Sequence, residues 1–475
     1  LIDAFTSADT TQQANTTAQS MTIKVGNINL NDFNLQYDDE KLGIKSKVTL
    51  GQLRISIDEL NLEKMRFRAS NFSLSKSNLT YKQTKPFETN SDTTSTGPLP
   101  YFEVDDFHFN DVNLRYESLP GQQLAQIKLG DFKFELEEAD LKNRTIELGR
   151  LALHNSDIRY ISSAIPIEVD IDTSNSKPIT FEWPDWKVKV DEIDLLKNQI
   201  EFKQGKMQDS VGVFNPNHLL FHNLTINAED ISLENEEAKL QLNTFSFTER
   251  SGFQLQNLTL DLIVNQKELS LSKFVLNTKN SGLQGNAQMT YPSLEQLLNA
   301  PEKANVAINI PKFHLSAKDA FVFQSTLEEN TYIKALSDKI IDGKLKVSGT
   351  LAEMTFENTA LNWGKSTSLV INGSVKNITQ LDQLEYNLDE IQFKTDSTDI
   401  SKFISERELG ISIPDTLILK GNFKGTLNKI VTKSQLITSE GNVTLEGNFH
   451  NKDTLAFDAQ LDVEKLELGR IILNN

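Results

Sequence analysis

Polar and apolar residues alternate along this chain from Ile23 onward, with the two-residue period of a strand that hides one face. Ile28 and Leu30 share a phase. Phe33, Leu35 and Tyr37 take it up again after a one-residue slip at Asn31-Asp32, the mark of a bulge or a tight turn. The texture recurs in Leu53-Arg-Ile55-Ser-Ile57, Phe72-Ser-Leu74, Leu224-Thr-Ile226 and Phe245-Ser-Phe247. It continues through Leu258-Thr-Leu260-Asp-Leu262 to Leu345-Lys-Val347-Ser-Gly349, Leu417-Ile-Leu419-Lys-Gly421 and Val443-Thr-Leu445-Glu-Gly447, which share a glycine two places after the second apolar residue. Helical spacing is scarce. Ser293 is a candidate N-cap for a helix through Leu294, Leu297 and Leu298; Phe321–Ile341 sets Tyr332, Leu336 and Ile340 on one stripe; Thr398–Glu406 offers a short third helix.

The alternation is itself repeated. NDFNLQY at Asn31–Tyr37 returns as NDVNLRY at Asn110–Tyr116, 79 residues further on. Without a gap, Val25–Tyr81 overlays Val104–Tyr160, with Leu50-Gly51 over Leu129-Gly130, Leu74 over Leu153 and Ser77 over Ser156. A weaker echo at Val190–Phe202 puts Ile193, Leu195, Ile200 and Phe202 where Ile28, Leu30, Leu35 and Tyr37 stand. A unit of this length holds about six strands of typical size and suits an antiparallel meander better than a short-rung solenoid. The expected organisation is a polar lead over 1–21, a first unit over 22–82, a Ser/Thr/Pro-rich loop over 83–100 and a second unit over 101–163. A loop follows over 164–185, then sheet over 186–292, helical insertions among strands over 293–342 and sheet again over 343–475.

A strand with one apolar face must bury it. Either the sheet closes on a filled core, or the face meets apolar matter that is not protein. The residues that would line such a face are Ile28, Leu30, Leu35, Ile55, Ile57, Phe107, Phe109, Leu114, Phe134 and Leu136 in the two units. In the later sheet they are Phe245, Phe247, Leu258, Leu260, Leu345, Val347, Leu417 and Leu419. Phe, at 27 against 3 Trp and 8 Tyr, supplies rings without a polar handle. A net charge of −18 argues against nucleic acid as partner, and the lack of cysteine rules out disulfides and thiolate metal sites. No apolar run reaches the 18 residues or so of a membrane-spanning helix.

Catalytic chemistry finds little to rest on. His218 and His222 frame HLLFH, but a zincin needs glutamate where Leu219 stands, and the segment reads as strand. The carboxylates Glu135, Glu137 and Glu138, and Glu234, Glu236 and Glu237, read as solvated strand faces. The expectation is a protein that is not an enzyme, with no cofactor and no metal.

The phrases VGNINLNDFNLQY (25–37), LGQLRISI (50–57), LNLEKMRF (60–67) and LKVSGTLAEMTFE (345–357) resemble those of the AsmA-like family, within it the translocation and assembly module branch in its Bacteroidota form. The resemblance covers most of 22–475 as loose pattern. It implies an all-β fold: an elongated, antiparallel, repeating β-groove, or β-taco, with a few short helices. It implies a periplasmic segment tied to the inner membrane by an anchor outside this chain, and reaching an outer-membrane barrel assembly partner through regions also outside it. The implied ligands are phospholipid acyl chains, carried along the groove between the inner and outer membranes in support of outer-membrane biogenesis. The competing reading of the same apolar stripe is a structural β-solenoid, a scaffold or adhesin with a filled core.

Overall fold

The computed structural model describes residues 26–62, 64–86, 99–163, 179–205, 212–451 and 455–472. The polar lead, and residues 87–98 and 164–178 of the two expected loops, lie outside them. The fold is all-β, with 68% of residues in strands and 10% in short helices, and the strands form one 22-stranded, mostly antiparallel sheet.

The first unit is three strands, β1 (Asn27–Asp39), β2 (Ile44–Asn61) and β3 (Arg66–Gln83). The second is β4 (Tyr101–Ser118), β5 (Gln123–Asp140) and a third strand interrupted once, as β6 (Thr145–His154) and β7 (Asp157–Ser162). The 79-residue shift carries the bounds of β2 onto those of β5, and the ends of β3 onto the start of β6 and the end of β7. Turn chemistry repeats too. Asn61 accepts from the Lys64 N–H and Asp140 from the Asn143 N–H, both at 2.9 Å, ahead of left-handed Met65 and Arg144.

The unit therefore holds three long strands rather than six short ones. The slip at Asn31-Asp32 is neither a turn nor a register change. Asp32 takes a φ of 52° inside β1, and the ladder with β2 resumes in the same register, Asn31↔Gln52 before it and Phe33↔Leu50 after it. A single left-handed residue reverses the phase of alternation while the strand runs on, so in sequence it mimics a strand end.

β8 (Lys187–Gln204), β9 (His218–Glu234) and β10 (Glu237–Glu249) continue the sheet. Within each unit neighbours pair antiparallel, whereas the units join in parallel: β3 with β4, and β6 and β7 with β8. Thereafter each strand pairs antiparallel with the next: β11 (Gln254–Asn265), β12 (Glu268–Thr278), β13 (Gly282–Thr290), β14 (Asn305–Leu315), β15 (Ile341–Thr350) and β16 (Glu353–Trp363). The series ends with β17 (Thr367–Lys376), β18 (Glu385–Asp396), β19 (Thr416–Thr426), β20 (Lys429–Thr438), β21 (Gly441–Asn451) and β22 (Leu455–Glu464). Among the described residues β1 pairs only with β2, and β22 only with β21, so the sheet does not close.

Ser293 caps a helix, Leu294–Asn299, by accepting from the Gln296 N–H. The stripe expected over Phe321–Ile341 is broken into a helix at Ala317–Phe323, a 3₁₀ turn at Ser325–Glu329 and a helix at Thr331–Leu336. Asn330 caps the last of these through the Tyr332 and Ile333 N–H groups, and so restarts the chain there. Thr398–Glu406 likewise divides between helices Ser397–Ile400 and Glu406–Leu409.

Candidate functional site: a creased apolar trough

A line of backbone irregularities crosses the first units strand by strand. Asp32, Lys76, Asp111, Asn155 and Lys197 have φ of 52°, 49°, 53°, 50° and 54°. The intervening strands carry glycine instead. A Cβ on Gly51 would lie 2.5 Å from the Lys76 carbonyl oxygen, and one on Gly130 would lie 2.6 Å from that of Asn155. The ladder bonds lost here are replaced by hydroxyls. Ser77 Oγ accepts from the Gly51 N–H at 3.2 Å and donates to the Ser75 carbonyl at 2.8 Å; Ser156 does the same between Gly130 and His154 at 3.0 and 3.1 Å. In the third unit Asn198, fully buried, accepts from the Ser156 N–H and donates to the Leu153 carbonyl.

The sheet folds along this crease with its apolar side inward. Leu50, Leu74, Val112, Leu129 and Leu153 form a buried cluster along it, against Leu30, Leu53, Phe109 and Phe132 on one wing and Val48, Leu79, Leu114 and Ile127 on the other. Burial fades away from the crease. Val112 is 0% exposed, whereas Phe102 near one rim and Leu35 on the edge strand reach 37% and 52%.

Every lining position inferred from the alternation falls on this face, as the cross-strand partners establish. Ile28, Ile55, Phe72, Phe107, Phe134, Leu151, Ile193, Ala228, Leu242 and Leu260 form one row. Leu30 and Phe109 belong to the row ending at Phe245; Leu35 and Leu114 to the row through Val48 and Ile127; Ile57 and Leu136 to the row through Val104 and Val190. Leu258 and Leu419 are joined through Leu276, Phe313, Leu369 and Phe393, with Leu417 beside Leu419 on the same strand face. Val347 sits opposite Ile308, and Leu345 opposite Ile310. Phe247 packs edge-on against Phe221, ring centroids 4.9 Å apart. One row near a rim runs unbroken from Leu60 and Phe67 through Phe102, Val188, Val264, Met289, Met354 and Tyr386 to Phe449 and Phe457, with only Gly349 and Gly425 lacking a side chain. Of the inferred positions only Val347 is buried; Leu35 is exposed and the others are half-buried.

Sequence reasoning missed the rim covers. Phe181 and Trp183 pack with Tyr291, Leu294 and Leu297 over Val264, Leu269 and Met289 at one rim. At the other, Phe323 meets Phe214 and Phe253 at 5.3 and 4.9 Å, and the Trp363 ring meets Phe403 at 5.1 Å. The available signal was aromatic residues in segments without strand alternation. Asp399, 4% exposed, secures that second rim by accepting from the backbone N–H groups of Lys365, Ser366 and Thr367 and from the Thr367 hydroxyl. Burial alone would raise its carboxyl; these donors hold it below the ordinary aspartate value.

The outer face is polar and ionic. Arg68–Glu103 at 2.7 Å and Lys82–Glu117 at 3.0 Å bridge the first parallel seam, and Arg159–Glu201 the second. Glu201 also contacts His218 Nε2 at 3.1 Å; burial would raise its carboxyl, but its hydrogen bonds with Arg159 and His218 lower it. His222 Nδ1 lies 2.9 Å from Gln199 Oε1. Among the described residues no group of three or more His, Asp or Glu is placed to hold a metal ion, and no helix is long and apolar enough to cross a membrane.

No protein-family model, no curated protein and no solved structure matches the chain.

Proposed function

We propose that this chain is the trough segment of an AsmA-like periplasmic protein that carries phospholipid between inner and outer membranes, with the acyl chains along its apolar face. The observation that carries this reading is the continuity of that face, from Ile28 on β1 to Phe457 on β22, together with its partial exposure. A filled core would leave large apolar side chains fully buried. Among the described residues the largest side chains with under 2% exposure are Val112, Asn198, Thr395 and Ser77. A buried methylene contributes about 0.8 kcal/mol, so an acyl chain laid along these rows is held by many weak contacts and can slide. Anchorage in the inner membrane and docking on an outer-membrane barrel partner belong to the same proposal and rest on regions outside this chain.

The test is a photo-crosslinking amino acid placed at Leu258 or Leu260 on the inner face, and at the exposed outer-face Lys239 as control. Phospholipid adducts are expected at the inner positions alone. Leu260→Arg is expected to slow transfer of labelled phospholipid between vesicles while shifting Tm by only a few degrees. Phe247→Glu is a poorer lesion, because Phe247 also packs on Phe221, Phe245 and Phe253. Equal labelling of both faces, or none at Leu258 and Leu260, rejects the proposal.

A further inference from the structure

Among the described residues, the edge of β1 lacks a neighbour that its counterparts possess. Asp32, Asp111 and Lys197 mark the same left-handed position in β1, β4 and β8. β4 receives β3 alongside it in parallel, and β8 receives β6 and β7. Nothing among the described residues takes that place beside β1. The cost shows one residue past the crease. Phe33 is 38% exposed, while Val112 and Asn198, in the same place on β4 and β8, are 0% exposed. Natural sheet edges are usually guarded by lysine, proline or an inward charge; NINLNDFNLQYDD has no lysine and no proline, its one charge in the inward phase past the crease is Asp39 at the strand end, and it turns Phe33, Leu35 and Tyr37 inward.

The internal seams specify the missing strand. Across β3 and β4, Ser75 faces Asn110, Ser77 faces Val112, Leu79 faces Leu114, and Tyr81 stacks on Tyr116 at 5.8 Å with planes 6° apart. Lys82 then bonds Glu117 at 3.0 Å. The β1 counterpart of Glu117 is Asp38, whose ion-pair partner is an exposed lysine, Lys45, at 3.5 Å. We infer that the β1 edge is a docking site for a strand from another polypeptide, added in parallel, with the pattern Ser-x-Ser-x-Leu-x-Tyr-Lys of β3 and its cation set against Asp38. A second copy of this chain is the poorer occupant. Among the described residues its free edges are β1, with Asp32, Asp38 and Asp39, and β22, with Asp458, Asp462 and Glu464, and neither carries a lysine or arginine. Main-chain bonds would supply affinity and the alternate side chains the register.

The experiment adds a synthetic peptide of sequence Arg66–Gln83 to the full chain and follows amide exchange. Protection of Asn27–Asp39, absent with a scrambled peptide, is expected. Paired spin labels should place the peptide's start near Asn27 and its end near Asp39. Asp38→Lys should weaken binding about threefold to fivefold, and a peptide with Lys82→Glu should restore it. The inference is overturned by β1 amides already slow to exchange without peptide, by an antiparallel arrangement, or by protection confined to β22. Concentration-dependent protection of β1 without peptide would replace the foreign strand by a second copy and overturn it equally.

Discussion

The two ends of the sheet bend by different means. From β1 to β8 the crease is built of left-handed residues, with glycine in β2 and β5, and serine hydroxyls or the Asn198 amide take over the displaced ladder bonds. Strands β2 to β5 and β8 each run 18 residues through it, and β6 runs 10 residues up to it. From β19 to β22 the ladders run without interruption, and among the described residues no non-glycine residue there has a positive φ. The irregularities that remain are all at glycine: Gly425 and Gly441 take φ of 148° and 129°, a Cβ on Gly421 would sit 2.5 Å from the Lys433 carbonyl oxygen, and one on Gly447 would sit 2.6 Å from Ala459 Cβ. The consequence is a difference in core. The creased region buries Leu50, Leu74, Val112, Leu129 and Leu153, whereas the buried residues of β19–β21 are polar, Thr432 and Ser434. A sharp fold in a sheet brings two apolar wings within reach of each other; a plain ladder leaves its apolar face open.

The most disruptive way to break this contrast is Gly130→Val. Its side chain would meet the carbonyl oxygens of His154 and Asn155 at under 3 Å, and backbone cannot step aside as a flexible side chain can. A loss of about 4 kcal/mol is expected, with hydrogen exchange accelerated across β4–β7 and unchanged across β19–β22. Uniform acceleration along the chain would show that the two regions unfold together.

Asp399→Ala tests the covered rim with an effect of about 3 kcal/mol, since several N–H donors would lose their acceptor. The native carboxyl is lowered, so its stabilisation is complete above the ordinary aspartate value of about 3.9 and is lost as pH falls through the lowered native value. Tm curves of parent and variant should therefore run apart at neutral pH and converge in strong acid. A constant gap down to pH 2 would assign the loss to packing.

Asn198→Val compares the third unit with the second, where valine stands naturally at Val112. The Ser156 N–H and the Leu153 carbonyl would be left without their partner, at a cost of about 2 kcal/mol by denaturant unfolding. The smallest effect belongs to Lys82→Ala. Its half-exposed ion pair with Glu117 should contribute about 0.5 kcal/mol and vanish in 1 M salt, whereas a larger loss would mean that charge, rather than the stacked rings, holds the parallel seam.

The alternation alone determined which side chains share a face. A strand has two sides, so once the phase of Ile28, Phe107, Leu258 or Leu419 was known, its side of the sheet followed. The 79-residue overlay likewise carried the equivalence of β2 with β5, because the Leu-Gly pair and the apolar positions around it recur at identical spacing. Its most telling identities, Gly51 with Gly130 and Ser77 with Ser156, were visible as letters, but their meaning was not. A glycine in a strand is compatible with a bulge, a turn or a close approach, and only the neighbouring Lys76 and Asn155 carbonyls show which. The tertiary structure also decided that the units join in parallel, and that Phe181, Trp183 and Phe323 cover the rims. These are contacts between segments far apart in the chain. Local periodicity records which way a residue points, not what it meets there.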